Sequence, residues 1–203
     1  MNLISILSAD NRSSVSVMIN NNFLETLYTN ESRSHSKVLP VYIKKLIDKY
    51  NLIKIDGLVV SIGPGSYTGL RIGLSLAKGI AFSKGIPLIP ISTFDIVNYN
   101  INNQNDYSIL IHSHRNYYFR QEYKNSEKVG KAQVVDINDI KDITIYYTGN
   151  EKYQNAQSQH IKHQLDSETM LKIGLENFDS MIVEDINSVT PLYVSKIPLN
   201  NND

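Results

Sequence analysis

Cysteine is absent from the 203 residues, which excludes a disulfide framework, thiolate zinc sites and a cysteine nucleophile, and fits a reducing compartment. Net charge is absent as well. Lys+Arg and Asp+Glu stand at 20 each, so no basic footprint argues for direct contact with nucleic acid, and a role on RNA would have to be shared with a partner. Nowhere do about 18 apolar residues follow one another. The start, MNLISILSADNRSS, has a short apolar run and no basic lead-in. These absences describe a soluble, cytoplasmic protein without a membrane partner, long enough for a proper core in one domain or two small ones.

What is present concentrates at Gly63 to Gly85. Gly63, Gly65, Gly69 and Gly73 follow the apolar run Leu58 to Ile62 and open a helical pattern. A strand, a glycine turn and a helix start favour either an anion or a closely packed neighbour, because glycine lets backbone approach and the first N–H groups of a helix lack partners. Upstream, Leu3 to Leu7, Ser14 to Ile19 and Phe23 to Thr29 read as a three-stranded meander around Asn20-Asn21-Asn22. Leu39, Ile43, Leu46, Ile47 and Tyr50 then lie at helical spacing, with Ser36 the expected N-cap. Leu58 to Ile62 is a strand, Thr68 to Ser83 a helix and Pro87 to Ile91 a strand, and Ser92-Thr93-Phe94-Asp95 resembles a capping box before a third helix.

The order βββαβαβα makes residues 1–103 an N-terminal lobe with a mixed sheet covered by helices. The polar interval from Asn100 to Asp106 marks the boundary, leaving 104–203 as a second lobe. That half begins with a hairpin around His114-Arg115-Asn116 and adds strands at Gln133 to Ile137 and Ile143 to Tyr147. Helices are expected over Tyr153 to Leu165 and Ser167 to Phe178, then an extended Pro191-Leu192-Tyr193-Val194. The two halves share a faint internal duplication.

The stretch GPGSYTGLRIGLSLAKGIA, His35-Ser36 with Leu39-Pro40, Asp56-Gly57-Leu58, Ile89-Pro90-Ile91-Ser92-Thr93 and Pro191-Leu192-Tyr193 resemble, in that order, the TsaB (YeaZ) family, bacterial proteins of tRNA threonylcarbamoyladenosine biosynthesis. The resemblance is strong over 34 to 93 and thin over 124 to 188, where the second lobe is reduced. It implies a two-lobed α/β fold of the actin/Hsp70/sugar-kinase kind, each lobe a mixed sheet with helices. It also implies a non-catalytic scaffold that binds and activates the catalytic paralogue TsaD, works with the ATPase TsaE, pairs with itself when alone and meets tRNA only through the complex. In the family the first two helices form the partner interface, which here points to His35, Leu39, Ile43, Gly65, Gly69, Arg71, Gly73, Ala77 and Ala81.

Gly65, Gly69, Gly73, Ala77 and Ala81 recur every four residues, and such a small-residue stripe serves either close packing inside the chain or the approach of a partner helix. On the second reading Gly73→Leu abolishes association and leaves a soluble fold. Arg71, in the first turn of a helix beginning near Thr68, opposes the helix dipole, so a carboxylate of the same chain, or a carboxylate or phosphate from across the interface, is expected beside it.

Enzymatic readings are weaker. The glycine turn lacks the Gly-Lys-Ser/Thr ending of a P-loop and misses the dinucleotide fingerprint by one residue. Where the resemblance places a phosphate-loop aspartate this chain has Ser8, with Asp10 two positions late, which argues against autonomous nucleotide binding, leaves no cofactor, and gives ATP and Mg²⁺ a place only at the partner interface. A nucleotide hydrolase or kinase relative with a rebuilt loop is the alternative. His112 with His114 and His160 with His163 are spaced to share an ion, yet neither pair has a third ligand in view, and a metallo-endopeptidase would need a metal-bound water with a general base. His35-Ser36 forms no triad and no nucleophile elbow. Tyr117, Tyr118 and Tyr123, without a basic surround, read as half-buried strand residues rather than a stacking platform for RNA.

Overall fold

The computed structural model describes residues 1–31, 34–103, 105–141, 144–148 and 159–194. Two units divide the chain: residues 1–99 with 165–192, and 100–164 with 193–203.

The first unit is organised on β1 (Leu3–Leu7), whose five residues are all buried. It pairs antiparallel with β2 (Ser13–Ile19), which pairs antiparallel with β3 (Asn22–Thr29). Asn20 and Asn21, both at positive φ, make the tight turn that this pairing needs. On the other side β1 pairs parallel with β4 (Gly57–Gly63), and β4 with β5 (Leu88–Ser92). Parallel neighbours require crossovers, supplied by α1 (His35–Lys49) and α2 (Tyr67–Lys84). Their apolar positions, Leu39, Ile43 and Leu46 on α1 and Leu74, Ala77 and Ala81 on α2, close one core with Ile4, Ile6, Val15, Val17, Leu58 and Val60. α3 (Thr93–Tyr99) starts at the expected capping box: Ser92 Oγ accepts from Asp95 N at 3.1 Å and donates to the Asp95 carboxylate at 2.5 Å.

Two helices of this unit come from far along the chain. α4 (Ser167–Glu176) and α5 (Phe178–Met181) occupy the span where a helix is expected, but they belong with residues 1–99, so the expected single lobe over 104–203 does not hold. The reason is in the sheet. α4 closes over buried serines of β1 and β2: Ser5 Oγ donates to Ser167 O at 2.6 Å, and Ser16 Oγ, which also meets Thr26 Oγ1 of β3, lies 2.6 Å from Ser167 Oγ. Gly174 allows the helix to lie against Val59, whose Cγ2 is 2.8 Å from where a Cβ would stand.

The second unit repeats the pattern. β6 (Tyr107–His114) pairs antiparallel with β7 (Tyr117–Lys124), and β7 with β8 (Glu127–Asp136). β9 (Thr144–Thr148) and β10 (Gln159–Lys162) extend it in parallel, giving the order β8-β7-β6-β9-β10 beside β3-β2-β1-β4-β5 in the first unit. The faint duplication is therefore a duplication of topology, with the five strands of each sheet in corresponding order. The helix expected over 153–165 is corrected at 159–162, which is a strand; residues 151–158 lie outside the described ones. Gln159 to Lys162 follows the period of two because β9 offers a parallel partner. Among the described residues this unit has one 3₁₀ turn, Ile137–Asp139, and no α-helix.

Candidate functional site

The loop between β1 and β2 and the glycine turn between β4 and α2 meet at the same end of the first sheet. Gly63 ends β4 at φ +97°, a conformation in which a side chain is strained. Ser66 then caps α2: its Oγ accepts from Gly69 N at 3.2 Å, while its own N–H donates to Ala9 O at 2.6 Å. The cap N–H and the Gly69 N–H of the first turn are thus both bonded within the chain.

The small-residue stripe serves that contact. A Cβ at Gly65 would overlap Ala9 O, one at Gly69 would overlap Ser8 O and stand 3.1 Å from His35 Nε2, and one at Gly73 would overlap Ser8 Oγ. Ala77 and Ala81 are buried in the core of the unit. His35, Leu39 and Ile43 are buried there too. Of the nine positions expected at a partner interface, Arg71 alone is exposed, Gly65 is half-buried, and the other seven are taken up inside this unit. The four-residue period is common to both readings of the stripe, so spacing does not distinguish them; the neighbouring Ser8–Ala9 backbone does.

His35 holds the junction together. Its Nδ1 lies 2.6 Å from Ser13 Oγ at the start of β2, and Nε2 faces Gly69 of α2. α1 begins at His35 itself, so the expected cap Ser36 lies within the first turn and Ser34 takes the cap position, with Ser34 Oγ donating to Glu31 O at 2.7 Å. Burial pushes the His35 imidazole below its ordinary value of 6.5. The unfolded chain therefore binds a proton more readily than the folded one. The stability this group contributes is intact above about pH 6.5 and is lost as the pH falls below it. His35→Gln is expected to flatten the fall in melting temperature between about pH 7 and pH 5. Part of the fall will persist, because burial depresses His163 of the second unit in the same direction; an unchanged profile counts against the assignment to His35.

Ser8 is fully buried, its N–H donating to Ser61 Oγ at 3.2 Å, and its Oγ has no hydrogen-bond partner. Asp10, two positions on, is engaged in its own loop. Its Oδ1 accepts Arg12 N at 2.8 Å and closes the local turn, and burial raises its pKa against the pull of Arg12. The Arg12 guanidinium lies 4.0 Å from the centre of the Tyr28 ring. Arg71 has a similar neighbour: α2 begins at Tyr67, one turn earlier, and the Tyr67 ring lies 4.0 Å below the guanidinium. An aromatic face stands beside the cation.

The other histidines have separate settings. A bulge between His112 and His114 breaks the alternation that would place both on one face. His112 Nε2 lies 3.1 Å from Arg115 O, and the His114 ring stands against Tyr117. His163 packs edge-on against Tyr146, beyond β10 rather than on a helix. Among the described residues no three His, Cys, Asp or Glu side chains are grouped to hold a metal ion. Tyr118 and Tyr123 are buried in the sheet.

The surface that α2 leaves open lies off the stripe. Ser75 and Gly79 are exposed at a spacing of one turn, nothing stands within 4 Å of a Cβ built on Gly79, and the half-buried Ile72 and Leu76 flank them. Phe82 is 82% exposed, and Val41 on α1 is 60% exposed. Sequence reasoning passed over these positions, although the departure of Gly79 and Phe82 from the four-residue row was visible.

Comparison with known proteins places this arrangement. Among solved structures, YeaZ from Pseudomonas aeruginosa superposes with a TM-score of 0.79 at 18% identity over 95% of this chain and 99% of that one. A second, described as an uncharacterized protein with similarity to peptidase YEAZ from Pseudomonas aeruginosa, gives 0.78 at 18% over 96% and 99%. These establish the fold, and the resemblance to TsaB (YeaZ) drawn from the motifs agrees with them. Curated relatives match over a shorter stretch. The tRNA threonylcarbamoyladenosine biosynthesis protein TsaB of Haemophilus influenzae is 40% identical over 72 residues, 34% of this chain and 30% of that protein. A tRNA N6-adenosine threonylcarbamoyltransferase of Clostridium botulinum is 32% identical over 110 residues, 45% of this chain and 32% of that one. The chain thus spans about a third of the length of these two relatives. No helix among the described residues is long and apolar enough to cross a membrane. A family model described as TsaD: tRNA N6-adenosine threonylcarbamoyltransferase matches residues 28–178, well over half of the sequence, and the chain belongs to that family.

Proposed function

We propose that this chain acts in the biosynthesis of threonylcarbamoyladenosine in tRNA, in the cytoplasm, as a scaffold without chemistry of its own. It binds and activates a TsaD-like catalytic paralogue, works beside a TsaE-like ATPase, pairs with a second copy when alone and meets tRNA only through the complex. The observation that carries this reading is the closed junction: Ser66 N–H is spent on Ala9 O, and the first turns of α2 lie against Ser8 and Ala9, with Ser8 in place of a metal-ordering carboxylate. A helix start whose cap N–H and Gly69 N–H are bonded within the chain has fewer donors to offer a phosphate. The interface falls on the outward side of α1 and α2, where Ser75 and Gly79 let a partner helix come close and Val41 and Phe82 provide apolar area.

Mixing the chain with the catalytic paralogue and measuring mass by light scattering tests the reading. Ser75→Arg is expected to weaken the complex at least about tenfold while leaving the circular dichroism spectrum and melting temperature unchanged. Undiminished association would overturn the assignment, and ATP turnover by the isolated chain would overturn the scaffold.

A further inference from the structure

We propose that residues 183–192 form a strap that fastens α2 and the glycine turn to the sheet, and thereby sets the pose of the face that α2 offers its partner; this rests on the reading of α2 as partner-facing. The strap has four attachments. At its start Val183 makes a two-way bridge with the outer edge of β5, Val183 N donating to Leu88 O at 2.8 Å and Leu88 N to Val183 O at 3.1 Å. A turn at Asp185, whose carbonyl accepts Ser188 N at 3.0 Å, redirects the chain. It then passes α2, where Lys78 Nζ donates to Asn187 O at 3.2 Å. Val189 is buried in the core of the first unit, with Val183 and Ile186 packed against it. At its end Leu192 N donates to Ile62 O at 2.7 Å, on the residue before Gly63.

The direction of these bonds matters. Lys78 lies three residues after Ser75 and four before Phe82, so the strap is fastened to α2 along one edge of the outward face. Leu192 holds the last carbonyl before the turn from which α2 springs. With the side chain of Leu192 partly exposed, the contact at this point is carried by backbone. Glycine turns of this kind have little side-chain packing to hold them, and one backbone bond at the pivot has large leverage on a helix of 18 residues.

Leu192→Pro removes the N–H and keeps the chain extended, while Leu192→Ala removes the side chain and keeps the N–H. Hydrogen exchange over residues 63–72 and affinity for the catalytic paralogue are measured on both, with Val189→Ala as a second release. The expected result is exchange at least about tenfold faster and affinity at least about tenfold weaker in Leu192→Pro, with Leu192→Ala close to the parent. Unchanged exchange in Leu192→Pro and Val189→Ala overturns the strap. Faster exchange with unchanged affinity overturns its link to the partner face. If the parent chain does not associate with the paralogue, the functional reading fails separately and the exchange rates still decide for or against the strap.

Discussion

Gly69→Ala is expected to lower the stability of this chain by about 1–3 kcal/mol, and Gly79→Ala, on the same helix, to raise it by about 0.5–1 kcal/mol. The chemistry of the two substitutions is identical. At Gly69 the added methyl would overlap the carbonyl oxygen of Ser8, a backbone atom that moves only if the β1–β2 loop leaves its place, and would press on His35. At Gly79 it meets nothing within 4 Å, so what remains is the smaller backbone entropy lost on folding. Urea or thermal unfolding of the two variants beside the parent checks both signs. Gly73→Leu follows from the same geometry: with Ser8 Cβ 3.0 Å from the first added carbon and Ser8 fully buried, it should fail to give a cooperative fold at all, rather than a soluble chain that has lost its partner. A well-folded Gly73→Leu would show that the stripe is not packed on the β1–β2 loop.

Ser8→Asp should be destabilising by roughly 3 kcal/mol or more at neutral pH. The position is fully buried, its side chain points at Gly73, and its hydroxyl already goes without a partner. A carboxyl introduced there is held neutral by burial, so its folded pKa rises above the unfolded value near 3.9. The penalty is then small below that value and grows as the pH rises through it. A melting temperature that falls relative to the parent between about pH 4 and pH 7 is the expected outcome. A variant as stable as the parent that is further stabilised by Mg²⁺ and ATP would revive the nucleotide-binding alternative.

The elements of the first unit were legible because their periods differ. Val15, Val17 and Ile19 alternate, Leu39, Ile43 and Leu46 follow a helical spacing, and Asn20-Asn21 supplies the positive φ of a tight turn. The strand at Gln159 to Lys162 was not legible, since four residues with one strong apolar side chain carry too little period to tell strand from helix, and the parallel partner β9 decides it. The destination of α4 was hidden for another reason. Its apolar face, Met170 and Leu171 among it, was visible, but which sheet would bury that face is a long-range choice that residue spacing does not carry, and only the structure shows Ser167 meeting Ser5 and Ser16.

Residue pattern alone carried the glycine turn, the order of strands and helices before Tyr99 and the repeated small residues of α2. Those are properties of residue type and spacing along one chain. Only the tertiary structure decided what the small residues are for, since a stripe every four residues says that something comes close without saying what. The Ser8–Ala9 backbone comes close: Ala9 O accepts Ser66 N at 2.6 Å and leaves no room for a side chain at Gly65, and Ser8 O leaves none at Gly69. The face of α2 left exposed is the one beside the stripe.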